Sequence, residues 1–387
     1  MYITYQVPPR YRQMTFEEML SGVVTIDQLR VGDIAATRTI CTEGLYMPSN
    51  LAKITNVSEM IQKLHEFNAA TEKIRQTPRE ELYNSFKIPK KSGGLRQIDA
   101  PNVELSNHLR NLKTLLSSFM IADHHTCAYA YVQNRSTIDA VKKHQKWESN
   151  WFGKFDFHGF FPDTTLDFVL SQFATIYPFA LIMQNENGYS EIKKALELCF
   201  LNGGLPQGTP ISPFITNVMM IPFDHVVANK LLKFDGIHQN GNSERFAYTR
   251  YADDILISCR VDFPIKKIEE FIVETLKSFG APFYLNQKKT RYGSRAGSNW
   301  NLGLMLNKDN EITVGYREKK HFKAMIHNYL MDKKNGRNWE LSDVQHMQGK
   351  ISYFRMVEKE YIDKIINDLN QKLEMNLMEC IRADLRS

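Results

Sequence analysis

The chain has 387 residues, 43% of them hydrophobic, and 49 Lys and Arg stand against 43 Asp and Glu for a formal charge of +6. This composition excludes a disordered or fibrous chain, gives enough apolar sequence for a multi-lobed globular protein, and permits nucleic acid as a partner without demanding it. No apolar run approaches the roughly 20 residues of a membrane span, Met1-Tyr2-Ile3-Thr4-Tyr5 has no leader-like basic or apolar region, and Cys41, Cys127, Cys199, Cys259 and Cys380 lack metal-ligand spacing, so a reducing cytoplasm is the expected location.

Residues 1–79 read as an N-terminal extension, in which Ile61, Leu64 and Phe67 recur at helical spacing behind a cap at Asn56 or Ser58. That helix is expected to complete the fold rather than contact a substrate. Between Phe86 and Ile98, Lys87, Lys90, Lys91 and Arg96 lie around a turn at Gly93-Gly94. Cations around a turn are commonly just solvated. Leu105, Leu109, Leu112, Leu116 and Phe119 then mark the buried stripe of a helix.

An apolar strand over residues 151–161 delivers Asp156 ahead of Gly159 and the paired rings Phe160 and Phe161. Residues 203–213 form a Gly/Pro-rich loop containing Gln207 and Gly208, followed by a helical segment over 214–227 capped near Ser212. Its small residues would admit a sugar and base close to the backbone. Tyr251-Ala252-Asp253-Asp254 separates two β-type runs, 245–250 and 255–258, which places two acids at a tight hairpin turn. An Asp-Asp turn is often merely solvated. With Asp156 on a neighbouring strand, however, three carboxylates could hold two metal ions about 4 Å apart, the clamp that phosphoryl transfer uses. Farther on come Lys288 and Lys289, an apolar strand over 301–306, and helices over 316–330 and 341–377 around a polar loop at 333–338.

The ordered motifs Asp156-x-x-x-x-Phe161, Pro206-Gln207-Gly208-x-x-x-Ser212-Pro213 and Tyr251-Ala252-Asp253-Asp254 resemble those of the reverse transcriptases, and the likeness runs from about Tyr83 toward the C-terminus. The resemblance implies an α+β, right-hand polymerase fold, with fingers and palm at 80–315 and a helical thumb at 316–387. It implies Asp156, Asp253 and Asp254 as ligands of two Mg2+ ions, with Mn2+ as a substitute. Lys90, Lys91 and Arg96 would face the triphosphate of a deoxynucleotide, Gln207 and Gly208 would line it, and Tyr251 would lie beneath the primer terminus. Lys289, or Lys288 beside it, would approach the leaving pyrophosphate. Phe161 would be the steric gate against a 2′-hydroxyl; by its residue type alone it reads first as a core phenylalanine beside Phe160. Arg317, Lys319, Lys320, Lys323, Lys333, Lys334 and Arg337 would follow phosphates along the thumb.

Within the family the chain departs from the retron Asn-Ala-x-x-His element, having Asp139 for Asn and His144 one place late, and it has Asn301-Leu302-Gly303 where retrons usually carry Val-Thr-Gly. It is most similar to the defence-associated bacterial enzymes. The expected activity is RNA-directed DNA synthesis on a structured non-coding RNA in antiviral defence, with deoxynucleotides, a DNA product and a homo-oligomer or accessory defence protein as partners and no membrane. No ribonuclease H, maturase or endonuclease segment is expected after the thumb. Untemplated or protein-primed synthesis, a retron enzyme, and a non-enzymatic RNA-binding scaffold are the alternatives.

Overall fold

The computed structural model describes residues 56–89, 93–234, 245–296 and 303–386, and the backbone of 39–41, 46–48, 238–239 and 242–243. Lys90, Lys91, Asn301 and Leu302, expected at the fingertip and in the primer-grip strand, lie outside the described residues. A short hairpin of β1 (Thr39–Cys41) and β2 (Tyr46–Pro48) precedes α1 (Val57–Ala70), α2 (Glu72–Arg75) and α3 (Arg79–Leu82). Asn56 caps α1, its side-chain oxygen accepting from Glu59 N at 3.1 Å. Met60 and Leu64 bury one face of α1 in the main core, while Asn68 fastens it to Glu191. This part of the extension therefore packs with the fingers and palm.

The fingers hairpin pairs β3 (Tyr83–Pro89) with β4 (Leu95–Pro101), and Gly93 and Gly94 both take positive φ at its tip. After α4 (Val103–Phe119) and α5 (Thr137–Lys146) comes β5 (Trp151–His158), the central strand of the palm. Then follow α6 (Leu166–Phe173), α7 (Phe179–Gln184), α8 (Glu186–Glu197), α9 (Ser212–Met219) and α10 (Ile221–Leu232). The apolar run expected as one helix from 214 is thus two, divided at Met220, with Pro213 and Pro222 each in a first turn where proline is tolerated. Ser212 is the first helical residue; its N–H is received by Thr209 Oγ1 at 3.2 Å, so Thr209 supplies the side-chain acceptor expected near Ser212.

The short pair β6 (His238–Gln239) and β7 (Asn242–Ser243) leads to β8 (Ala247–Tyr251) and β9 (Asp254–Cys259). With α11 (Ile265–Ser278), β10 (Tyr284–Leu285) and β11 (Arg291–Ser294), they complete a sheet in which β8, β9 and β5 lie side by side and β10 and β11 share the far edge of β5. Every pairing is antiparallel. Alternation along β5 sorts its side chains: Phe155 and Phe157 enter the helix-covered core, while Phe152 enters a second core shared with the thumb. Lys154, Asp156 and His158 follow Phe152 in alternation, so Asp156 lies on the sheet face opposite the main core, beyond the end that α5 and the thumb cover.

The thumb comprises the hairpin of β12 (Met305–Leu306) and β13 (Ile312–Thr313), followed by α12 (Tyr316–Lys334), α13 (Leu341–Leu373) and α14 (Leu377–Asp384). The long helix α13 is kinked at Glu358, whose carboxylate accepts from Thr313 Oγ1 and Val314 N at 2.9 Å and from Lys319 Nζ at 2.5 Å.

Arg250 is fully buried on β8. Its guanidinium binds both carboxylate oxygens of Asp224 on α10, with contacts of 2.8–3.0 Å, and Tyr248 Oη donates to the same carboxylate at 2.6 Å. Removing one member of such a pair strands the other charge in the core. Asp224→Ala is expected to lower the unfolding free energy by about 3–5 kcal/mol in urea denaturation; a loss near zero would show that the pair does not hold α10 to the sheet.

Candidate active site

β8 and β9 pair through Tyr251 and Asp254, leaving Ala252 and Asp253 as a two-residue turn, with Ala252 at φ 55°. A left-handed alanine costs about 1–2 kcal/mol. Arg250 holds it: one guanidinium nitrogen donates to Ala252 O at 3.2 Å. Across the sheet, Asp156 is the register partner of Asp254, so both side chains rise from the same face with Cα atoms about 5 Å apart. Phe157 N donates to Asp253 O at 3.1 Å and ties the turn to β5. The expected grouping of Asp156, Asp253 and Asp254 is therefore present.

Two lysines stand among these acids. Lys289 Nζ reaches both oxygens of Asp156 at 3.0 and 2.9 Å, and Lys154 Nζ lies 3.0 Å from Asp254. Lys289 is carried by a 3-10 turn over Gln287–Lys289 and anchored by Asn286 N donating to Asp156 O at 2.8 Å. Asp253 has no ion pair among the described residues. Its carboxyl is pushed up to about 6, first by desolvation and then by the neighbouring charge of Asp254 and, more weakly, Asp156. Three hard oxygen donors crowded in this way suit a divalent ion such as Mg2+.

Phe161 lies at the rim of the core, 9% exposed, with its ring edge-on to Phe160 at 5.4 Å. Leu205 N donates to Phe161 O at 3.0 Å, and a Cβ on Gly204 would meet Pro162 O at 1.9 Å, so the Pro206-Gln207-Gly208 loop is seated directly on the Phe161 turn. At its other end, Asp99 N donates to Gln207 O at 2.8 Å, and Gly208, at φ 117°, approaches Ile98. Ile98 is the cross-strand partner of Phe86, and Arg96 that of Ile88. Arg96 thus shares the Ile98 face of the hairpin, toward Gly208, whereas Lys87 lies on the opposite face.

Several functional contacts were not singled out by the sequence. Lys154 escaped notice because one cation in a strand has no distinguishing spacing. The Arg250–Asp224 pair spans two elements, and Asn217 on α9 extends it, with Oδ1 3.4 Å from the guanidinium and Nδ2 donating to Ala130 O at 2.9 Å. Ala130 precedes Tyr131, which is 59% exposed and has φ 60°. Ala128 forms a parallel bridge with Arg250, so the chain through Tyr131 runs alongside that through Asp253. The Tyr131 hydroxyl is raised by burial, then by the charge of Asp253.

His125, Cys127 and Asp224 also place potential metal-ligating atoms within 4.8 Å of one another. Both Asp224 oxygens already accept from Arg250, and the buried guanidinium opposes a second cation there. This cluster is polar core.

The thumb divides its basic residues. Lys319 pairs with Glu358 and Lys333 with Asp384, so these two expected phosphate contacts instead join thumb elements, while Arg337, 3.7 Å from Asp332, stays exposed. Arg317, Lys320 and Lys323 are exposed on successive turns of α12 and keep the expected outward placement. The retron-like element is also internal: Asp139 forms a capping box with Ser136, and His144 hydrogen-bonds Ser258 Oγ and Thr249 Oγ1 at 2.5 and 2.8 Å.

The family model described as reverse transcriptase (RNA-dependent DNA polymerase) matches residues 88–329. Retron Ec83 reverse transcriptase of Escherichia coli is 25% identical over 294 residues, covering 73% of this chain and 85% of that protein. Retron Ec73 reverse transcriptase of the same organism is 28% identical over 292 residues, covering 74% and 87%. Among solved structures, apo telomerase from Candida tropicalis truncated from its C-terminal domain is similar with a TM-score of 0.41 and 14% identity, covering 78% of this chain and 73% of that one.

Because the Asp253 carboxyl is raised in the folded protein, its ionisation opposes folding: the destabilisation is absent below the unfolded-state value near 4 and complete above about 6. Asp253→Asn is expected to stabilise the metal-free protein at pH 7 by about 1–3 kcal/mol in urea unfolding with EDTA, and the gain should vanish at pH 4. Equal gains at both pH values would remove the electrostatic cause.

Proposed function

The chain belongs to the reverse transcriptase family, an RNA-directed DNA polymerase of retron type, and we propose that it copies a dedicated structured non-coding RNA into DNA in bacterial antiviral defence. The observation that carries the catalytic part is the convergence of Asp156, Asp253 and Asp254 on one sheet face with Lys289 at its edge. The template and the defence role rest on the sequence resemblance to defence-associated enzymes.

Asp156, Asp253 and Asp254 would hold two Mg2+ ions. Bound there, the ions would supply Lewis acidity toward a primer 3′-hydroxyl and the leaving pyrophosphate. Lys289, with 55% of its side chain exposed, would turn from Asp156 to donate a proton or hydrogen bond to that pyrophosphate. Arg96 offers a guanidinium fork for phosphate oxygens from the fingers. Gln207 offers a two-way hydrogen-bonding group beside the Gly208 backbone, and Tyr251, at the start of the turn, would lie beneath the primer terminus. The Phe161 ring would close the space where a ribose 2′-hydroxyl would lie. Such catalysis depends on charge placement, so the loss of one carboxylate is severe while the fold remains.

A second reading, synthesis primed by the protein itself, is favoured by Tyr131, an exposed hydroxyl-bearing side chain whose segment runs beside the Asp253 turn. Strand-specific sequencing of RNA and DNA copurifying with the wild type and with Asp253→Ala separates the two. A discrete RNA in both samples, with complementary DNA only in the wild type, is the expected result. DNA without complementary RNA, covalently attached to protein and lost in Tyr131→Phe, would establish protein priming instead.

Asp156→Ala and Asp253→Ala are expected to reduce nucleotide incorporation at least ~1000-fold with unchanged circular dichroism. Normal incorporation by either would defeat the site assignment. Phe161→Ala should raise ribonucleotide use relative to deoxynucleotide use in paired insertion assays; unchanged selectivity would leave Phe161 as a packing residue.

A further inference from the structure

At the far edge of the palm, α11, β10 and the 3-10 turn enclose a cavity of about 690 Å3 that contains none of the three carboxylates. Its floor is apolar, with Leu276 and Phe283 both buried. One wall is a pair of stacked rings: His158 and Tyr284 have centroids 4.9 Å apart and planes at 17°. Tyr284 is 58% exposed and leaves ring surface open to a further planar group. Two exposed ammonium groups stand at the rim, Lys277 at the end of α11 and Lys288 on the 3-10 turn. Neither has a carboxylate within ion-pair distance among the described residues, in contrast to Lys154 and Lys289 nearby. The side-chain amides of Asn286 and Gln287 complete the rim, and neither makes a hydrogen bond among the described residues.

Exposed aromatic faces, cations without internal partners and open amides match a nucleobase followed by a phosphate, because bases stack without regard to sequence and phosphates seek ammonium groups. The volume lies in the range of small-ligand sites, about 300–1000 Å3. We propose that this groove is a second nucleic-acid site, which holds a nucleotide of a single-stranded segment on the His158–Tyr284 pair with its phosphate between Lys277 and Lys288. The site adjoins the reaction centre. His158 lies two residues beyond Asp156 on β5, about 7 Å along the strand, and the groove's Asn286 donates its backbone N–H to Asp156 O. A strand bound there is held at the edge of the sheet face that carries Asp156, clear of the three carboxylates.

The inference rests on the chain being a nucleic-acid polymerase, not on its template or biological role, and its test uses no turnover. Binding of a labelled 12-nucleotide RNA to the full chain would be followed by fluorescence anisotropy in EDTA over a KCl series. Tyr284→Ala is expected to weaken binding about 5- to 100-fold, as loss of one base stack does. The double variant Lys277→Ala, Lys288→Ala should lower the log–log salt slope by about 0.7, the value for one single-strand phosphate contact. A strand carrying 5-iodouridine should cross-link to Tyr284 or His158. Titration with a nucleoside triphosphate distinguishes the source: saturable binding that depends on Tyr284, with no change in RNA affinity, would assign the same chemistry to a free nucleotide. Unchanged affinity, salt slope and cross-link position in correctly folded variants would overturn the proposal, as would competition by poly-glutamate equal to that by RNA. Absence of polymerase activity in a wild-type chain that binds RNA through Tyr284 would instead count against the catalytic assignment alone.

Discussion

The buried ion pair between Arg250 and Asp224 is the contact on which the arrangement of the carboxylate-bearing sheet face depends. Arg250 lies between the helix layer and the catalytic turn, and its guanidinium touches Asp224 on α10, Asn217 on α9 and the carbonyl of Ala252. Its backbone meets the segment before Tyr131, receiving Tyr129 N and donating to Cys127 O. One side chain thus fixes a left-handed alanine, the direction of two neighbouring carboxylates and a loop beside them. A buried charge is costly, but its bidentate geometry and further acceptors compensate locally and leave little freedom to reorient.

Elements whose signal is local were legible in the sequence. The hairpin at Ala252-Asp253 follows from two acids between apolar β-type runs, and the fingers turn from Gly93-Gly94, both of which take positive φ. The long stripe beginning at Leu105 became the buried face of α4, with each of its leucines fully buried. The division of the apolar stretch after Ser212 was less legible, because Pro222 is compatible with the first turn of a new helix as well as with a break. Contacts made across elements were not legible: Asp224, Asn217 and Lys154 have ordinary neighbours in sequence and gain significance only when the palm brings them to Arg250 and Asp254.

Basic residues show the same limit. Seven in the thumb suggested one continuous phosphate track, yet Lys319 and Lys333 close ion pairs within the thumb itself. Composition reports charge but not whether an acidic partner comes within reach after folding. Likewise, Asp139 and His144, the places where the chain departs from the retron pattern, serve a helix cap and a buried hydroxyl network. Those positions describe how α5 is mounted on β8 and β9, which explains why the departures coexist with retron-type relatives.

Lys154 and Lys289 give the cleft an electrostatic character that its three aspartates alone would not have. With both ammonium groups in place, the three carboxylates leave a single net negative charge, and that charge resides on the group most ready to accept a proton. A polyanionic strand approaching such a surface meets little long-range repulsion. Charge alone therefore does not bar a nucleic-acid strand from the cleft, because the two lysines already offset most of what the three acids would repel.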